Sequence, residues 1–425
     1  MRTRAALALL ALGAGALAGA SASAAVTTSR SCAWQVEVDP DGANVAFPDQ
    51  AARYWVLREP GTSLDSLTIH GYYPFARYTS LTSYNATLGS TDGIPDVRIN
   101  PDKGSVNPFR TGAPRLLPAA KRRYTVRVLF GRRPAHPPAN TIYTEPTDGS
   151  RRGTDFSVAL RIYEPNRGLG DDGGVPLPSV TLDTPAGAIP IPDCPIPPLP
   201  AGANATVNRV PAVHTGPGSQ DPIVWHKFYN LPTSFTTALA APLVPLTMAL
   251  PKGGFGDNPD NKYVATVVSM ERAPAVVITG TLPRTPATWN GEARMQPGQL
   301  RYWSICTNEV VTQRFYGCVM DDQIPLAAGR RYTIVASPVN LRPANATRRC
   351  GIQWLPAGAA PDTVLIERNM LPDPSFRHSV QLARYGHEQH DLGRYYPLAY
   401  YRTLAEVSRL GCHRPVNHPR PQTAP

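Results

Sequence analysis

Residues able to do chemistry gather at two places in this sequence. The first is His387-Glu388-Gln389-His390-Asp391, with His378 before it and His413 and His418 after it, so that five of the nine histidines lie near the C-terminus. Positions three apart share a helix face, so His387 and His390 with Glu388 or Asp391 could offer two imidazoles and a carboxylate oxygen to a divalent metal such as zinc. Gly386 and Gly393 bracket the segment, and a solvated polar turn between two helices is the plainer reading. The second place is His70, Arg77, Tyr78 and Asp96, in or just after neighbouring predicted strands. A histidine beside a carboxylate could move protons, and an arginine could hold an anion. Against this stands an exposed histidine without a role.

Two weaker patterns follow. Asp39-Pro40-Asp41-Gly42, Asp171-Asp172-Gly173-Gly174 and Asp257-Asn258-Pro259-Asp260-Asn261 have the composition of calcium loops, but no twelve-residue pattern ending in Glu occurs, and the same residues make ordinary turns. Tyr72, Tyr73, Phe75, Tyr395, Tyr396, Tyr400 and Tyr401 could stack on a sugar or an apolar ligand, although packing is the usual work of such rings. The sequence has no G-x-S-x-G elbow, phosphate loop, dinucleotide fingerprint or H-E-x-x-H.

The elements that must position these residues read as short strands. Runs rich in β-branched and aromatic residues at 53–58, 66–71, 77–84, 123–130 and 156–163 are separated by Pro and Gly, and Leu67 and Ile69 alternate with Thr68 and His70. The second half repeats the order. Lys262-Tyr263-Val264 answers the Tyr54 strand, Ala275 to Gly280 the His70 strand, Arg301-Tyr302-Trp303 the Arg77 strand, and Arg331-Tyr332-Thr333 answers Arg123-Tyr124-Thr125. Further on, Val158-Ala159-Leu160-Arg161-Ile162 is matched with Thr363-Val364-Leu365-Ile366-Glu367. Thr279 stands where the first copy has His70, so the histidine is no requirement of the framework. A repeat this long means two domains rather than a solenoid. The expected fold is therefore mainly β: two tandem antiparallel β-sandwich, jelly-roll-like modules with a short C-terminal helical tail.

The expected boundaries are a signal peptide at 1–25, a first module at 32–188, a Pro-rich linker at 189–220, a second module at 221–372, and a helical tail with a disordered end at 373–425. The proline-rich run from Ile189 to Pro200 cannot serve as a central strand, because proline lacks the donor. Residues from Trp225 to Leu250 fit neither copy and could cover a sheet edge or the seam between modules. In the tail, Tyr401, Leu404, Val407 and Leu410 recur every three residues after Pro397 and before Gly411, which predicts a helix, and a second helix is expected over 376–385.

Arg2 and Arg4, an uncharged apolar stretch over 5–18 and Ala22-Ser23-Ala24 have the order of a cleaved export signal. The six cysteines, Cys32, Cys194, Cys306, Cys318, Cys350 and Cys412, then read as three disulfides, and no C-x-x-C suggests a metal site. They allow more pairings than sequence can choose among. Module logic groups Cys32 with Cys194, Cys306 with Cys318, and Cys350 with Cys412. The formal charge is +11, carried by 37 arginines and 5 lysines scattered in pairs, without a basic helix or a long run. That argues against a nucleic-acid partner and leaves wall polymers open.

The residues Ala52-Arg53-Tyr54-Trp55, Ile69-His70-Gly71-Tyr72-Tyr73-Pro74-Phe75-Ala76-Arg77-Tyr78, Asn107-Pro108-Phe109 and Gly173-Gly174-Val175-Pro176-Leu177-Pro178 resemble a group of exported actinobacterial proteins without an assigned activity. The Tyr78 strand and Leu160-Arg161-Ile162-Tyr163-Glu164-Pro165 resemble the C-terminal β domain of a bacterial two-domain family of unknown function. The resemblance implies a β-sandwich and brings no catalytic residues. The expectation is a secreted or cell-wall-associated, non-catalytic binding or structural protein with no cofactor and no membrane span after signal cleavage. Its partners would be wall glycans, lipids or envelope proteins, the last docking through an exposed apolar patch at the seam. The alternative is a secreted hydrolase, metal-dependent if the tail histidines hold a divalent ion.

Overall fold

The structure, a computed structural model, describes residues 32–40, 47–60, 66–86, 88–146, 155–195, 221–228, 256–310, 312–358, 361–410 and 412. The expected signal peptide, most of the expected linker and the chain beyond residue 412 lie outside them. The first copy contains β1 (Val36–Val38), β2 (Ala52–Pro60), β3 (Ser66–Tyr72), β4 (Ala76–Asn85), β5 (Ser90–Pro95), β6 (Arg123–Arg132), β7 (Thr141–Glu145), β8 (Asp155–Pro165), β9 (Ser179–Thr184) and β10 (Gly187–Ile191). These make two sheets, β1-β2-β8-β4-β5 and β10-β9-β3-β6-β7. The second copy contains β11 (His226–Phe228), β12 (Asn261–Ser269), β13 (Ala275–Thr281), β14 (Tyr302–Asn308), β15 (Phe315–Met320), β16 (Arg331–Pro338), β17 (Gln353–Ala357), β18 (Asp362–Met370) and β19 (Leu398–Arg402). Its sheets are β11-β12-β18-β14-β15 and β17-β16-β13-β19. The chain is mainly β, with two tandem sandwich-like units as the repeat implied.

The register confirms the duplication strand by strand. His70 lies opposite Thr125 and Thr279 opposite Thr333, while β6–β7 and β16–β17 are parallel in both copies. Gly71 and Gly280 sit under Tyr124 and Tyr332, where a Cβ would come within 2.5 and 2.6 Å of the phenol group, so the close approach of each tyrosine to the strand requires glycine. One match needs correcting. Tyr54 pairs with Arg161 and Tyr263 with Arg368, which makes Arg368, not Ile366, the counterpart of Arg161. The matched segments of β8 and β18 therefore slip by two residues. A slip of two keeps every side chain on its face, so alternation alone could not detect it.

The tail also differs from expectation. Leu398–Arg402 is a strand, β19, paired with β13 as β9 is paired with β3, and it completes the second sandwich. Among the described residues after Pro372, only Glu388–Leu392 (α1) and Leu404–Ser408 (α2) are α-helical; residues 376–385 are built of turns. The three-residue spacing misled because Tyr401 packs into the core between the sheets while Val407 packs with Val277 and Val335 on the outer face. Thr403 and Glu406 form a reciprocal capping box that starts α2 directly after the strand. The proline-rich run begins inside β10, an exposed edge strand, where Pro190 is tolerated. His226–Phe228, from the stretch assigned to neither copy, forms edge strand β11; residues 229–255 lie outside the described part.

The disulfides are Cys32–Cys194, Cys306–Cys318 and Cys350–Cys412, as module logic grouped them. The first closes a span of 162 residues around the first sandwich. The second joins neighbouring strands β14 and β15, and the third ties the turn at Arg348–Cys350 to the chain after α2.

Each sandwich has its own core, around Trp55, Ile69, Val126 and Ile162 in the first and Val264, Ile278, Trp303 and Ile334 in the second. A third cluster joins residues of both copies, including Ala52, Tyr78, Tyr163, Tyr302, Ile366 and Met370. This explains why all nine residues of β18 and all but the last of β4 are buried: one face meets its own sandwich and the other meets the opposite copy.

Candidate functional site at the seam between the copies

Arginines that would be anomalous in a lone sandwich fill the seam in matched pairs. Arg77 and Arg301, each at the start of the corresponding strand, lie side by side, and each points an Nη1 at the other's backbone carbonyl, at 3.5 and 3.4 Å. Arg301 Nη1 then reaches across to Asp96 at 2.8 Å, and Arg77 Nη1 reaches the other way to Asp321 at 2.7 Å. Asp96 and Asp321 are the residues that follow β5 and β15. The tyrosines after the two arginines cross in the same fashion. Tyr78 donates to Asp260 at 2.7 Å, and Tyr302 donates to Asp49 at 2.8 Å, both acceptors lying just ahead of the first long strand of the opposite copy.

A second arginine pair widens the exchange. Arg161 donates to Thr82 at 2.8 Å and to the carbonyls of Gly256 and Asp257 across the seam, while Arg368 donates to Cys306 Sγ at 2.8 Å and to the carbonyl of Phe47 at 2.6 Å. The rings of Tyr54, Tyr78 and Tyr302 stand edge-on to Tyr163 with centroids 5.5–6.2 Å apart, so apolar area and polar bonds are interleaved. The seam has the reciprocity of a two-fold dimer interface inside one chain.

The symmetry fails at one point. Glu164 and Leu371 occupy equivalent places: both have positive φ, 48° and 44°, and their amides donate to Ala51 and Asp260 of their own copies at 2.8 Å. Leu371 is apolar, whereas Glu164 lies 2.7 Å from Arg77 Nη2. Asp322 adds another carboxyl where the first copy has Val97. Arg77 thus faces Glu164 and Asp321 with Asp322 behind them, while Arg301 faces Asp96 alone. Burial works against the charge on Arg77, but Asp321 and Glu164 overcome it and hold the guanidinium above its ordinary value. Burial, opposed by Arg77 and reinforced by Asp321 and Asp322, raises Glu164 well above the usual carboxylate range. Burial likewise pushes Asp96 up to about 6 against the pull of Arg301.

The sequence-predicted residues divide accordingly. Arg77, Tyr78 and Asp96 come together in the seam, but His70 does not join them. It is exposed on the other sheet, its Nδ1 3.0 Å from Thr125 Oγ1, so no His70–Asp96 pair forms. The tail constellation does not converge either. Glu388 is buried, accepting the Lys227 amide at 2.8 Å with His226 Nδ1 at 3.7 Å; burial works to raise its carboxyl, but His226 and the Lys227 amide outweigh it and hold it low. Asp391 is clasped by Arg384 at 2.8 and 3.0 Å, while His387 and His390 stay exposed. Among the described residues, three-donor clusters occur elsewhere: Asp49 with Cys306 and Cys318, whose sulfurs are already joined, and Glu164 with Asp321 and Asp322.

Two of the acidic turns work as turns and anchors, while Asp41 and Gly42 of the first lie outside the described residues. Asp172 accepts the Gly174 amide at 2.8 Å, Asp171 pairs with Arg53 at 3.1 Å, and Asp257 accepts the amide and hydroxyl of Ser90 across the seam at 2.9 and 2.7 Å. Of the aromatic set, Tyr73, Tyr395, Tyr396 and Tyr401 are buried in cores, and Tyr72, Phe75 and Tyr400 are half-buried. A cavity beside Tyr72, Tyr124 and Leu177 has a volume of about 10 Å³, room for about one water.

Sequence reasoning missed Arg301, Glu164, Asp321 and Asp322 as site residues. For Arg301 a signal was available in the duplication, where Arg77-Tyr78 and Arg301-Tyr302 recur at matching places in both copies; nothing comparable marks the three carboxylates.

No protein-family model matches the chain, and no curated protein matches it. Two solved structures are similar over most of their length. An uncharacterized protein from Burkholderia cenocepacia is 12% identical with a TM-score of 0.48, over 89% of this chain and 84% of that one. A protein from Vibrio parahaemolyticus is 11% identical with a TM-score of 0.41, over 85% of this chain and 92% of that one.

Proposed function

We propose that this is an exported, non-catalytic protein of the extracellular space or the cell envelope, which binds a wall glycan, lipid or envelope protein or holds structure there. The observation that supports it most is the fate of Arg77, Tyr78 and Asp96. Their side chains are fully buried and are tied to Asp321, Asp260 and Arg301 of the opposite copy, so the residues best suited to chemistry serve to join the copies. Three disulfides fit an oxidising compartment, and among the described residues no helix is long and apolar enough to cross a membrane.

The test is a thermal-shift screen of the chain from residue 26 against wall glycans, anionic wall polymers and lipid vesicles, with metal analysis of the same sample. The reading expects saturable stabilisation by one of these classes without product formation. Turnover of a hydrolase substrate, or a stoichiometric metal lost on His387→Ala with His390→Ala, would overturn it.

A further inference from the structure

Glu164 is 3% exposed and its Oε1 has no hydrogen-bond partner; Asp321, 6% exposed, has Oδ1 equally unpartnered. Both residues join Asp322 in a cluster in which one carboxylate oxygen of each residue lies within 4.8 Å of the others. Arg77 can offset one of the three negative charges. The guanidinium of Arg330, which also feels Asp321, donates to the carbonyls of Leu282 and Pro283 at 2.9 Å. With all three carboxyls ionised, two negative charges would remain in a site where an uncompensated ion costs several kcal/mol, so the cluster calls for a cation or a proton. The duplication supplies an internal control. The matched place beside Arg301 has Asp96 alone, with Leu371 and Val97 in place of Glu164 and Asp322, and it closes the seam as well. The two additional carboxyls are therefore not needed for joining the copies.

We propose that Glu164, Asp321 and Asp322 bind a hard divalent cation of the calcium class, which ties the end of β8 in the first copy to the turn after β15 in the second. The donor set is all oxygen, without imidazole or thiolate, which suits calcium rather than zinc. Its charge matches a divalent ion once Arg77 is counted. Asp322 is half-buried and forms the solvent side of the site, where an ion can enter and keep part of its water shell. The competing occupant is a proton shared between Glu164 and Asp322, which face each other carboxyl to carboxyl. The proposal is independent of the non-catalytic reading, since its residues are not the tail histidines.

The experiment is thermal unfolding of the full chain at pH 7.5, first stripped with a chelator and then titrated with calcium, magnesium or manganese. The expected result is a rise in Tm of about 4 °C at a hundredfold excess of calcium over its Kd. Glu164→Gln and Glu164→Leu, the latter copying Leu371, should abolish the rise, and the half-exposed Asp322→Asn should reduce it even if the Glu164 variants fold poorly. His387→Ala with His390→Ala should leave it unchanged. No response to any of the three ions, or a response that survives both Glu164→Gln and Asp322→Asn, would overturn the proposal.

Discussion

Arg77 and Arg301 hold equivalent places but carry different loads. Arg77→Met would leave Glu164 and Asp321 buried without their counter-ion, and breaking such a pair costs about 3–5 kcal/mol. Arg301→Met would strand only Asp96, which is already pushed up to about 6 and can take a proton, so the loss should be smaller and should shrink further at pH 5. Guanidinium denaturation of both variants in chelator at pH 7 and pH 5 checks the difference; equal losses would contradict it. Glu367 offers a separate test in the second core. Burial pushes it up to about 8, against hydrogen bonds from Trp303 and Asn369. Its folded value lies above its unfolded one, so the stability it contributes is present at acid pH and is lost as pH rises from the ordinary carboxylate range through about 8. Relative to Glu367→Gln, the native protein should lose up to about 1.4 kcal/mol per pH unit across that window. Superimposable pH curves for the two would contradict this placement. None of these electrostatics was legible in the sequence, because the groups that meet at Arg77 come from positions 164, 288 and 321 and nothing local links them.

Individual strands were legible because alternation and turn residues are local signals, and the repeat could be followed through β18. Legibility stopped at the tail. Pro397 and the spacing of Tyr401, Leu404 and Val407 have a helical look, and what decides for a strand is the open edge of β13, which pairs with Leu398–Arg402. In the first copy Pro178 precedes β9 as Pro397 precedes β19, a correspondence that only the register makes plain. A chain stopped at residue 372, the expected end of the second module, would lack β19 and the buried Tyr396, Ala399 and Tyr401. It should be insoluble or molten, and recovery of a monomer with a cooperative melt would contradict the role given to the strand. At the other shared element, Gly71→Ala and Gly280→Ala each place a methyl group against a tyrosine ring and should cost about 1–3 kcal/mol in chemical denaturation. An unchanged midpoint would mean that the ring does not lie on the glycine.

The whole molecule is two sandwiches whose inner sheets meet through reciprocal arginine, tyrosine and carboxylate contacts, and burial on both faces of β4 and β18 follows from that meeting. The duplication was visible in the sequence, but the way the copies face each other was not, since the bonds that define it join residues about a hundred or more positions apart, from Arg161–Gly256 to Tyr302–Asp49. The same packing fills the seam, so a partner protein binding there would have to displace one copy from the other. The most direct test of this account is to produce residues 26–195 and 221–425 as two chains in an oxidising compartment, together and apart, and to determine their masses by native mass spectrometry. The account predicts a one-to-one complex when they are made together, weakened by Arg77→Met, and aggregation of each half made alone, with Tyr78, Tyr163 and Tyr302 uncovered. Two soluble, monomeric halves with no affinity for each other would contradict it.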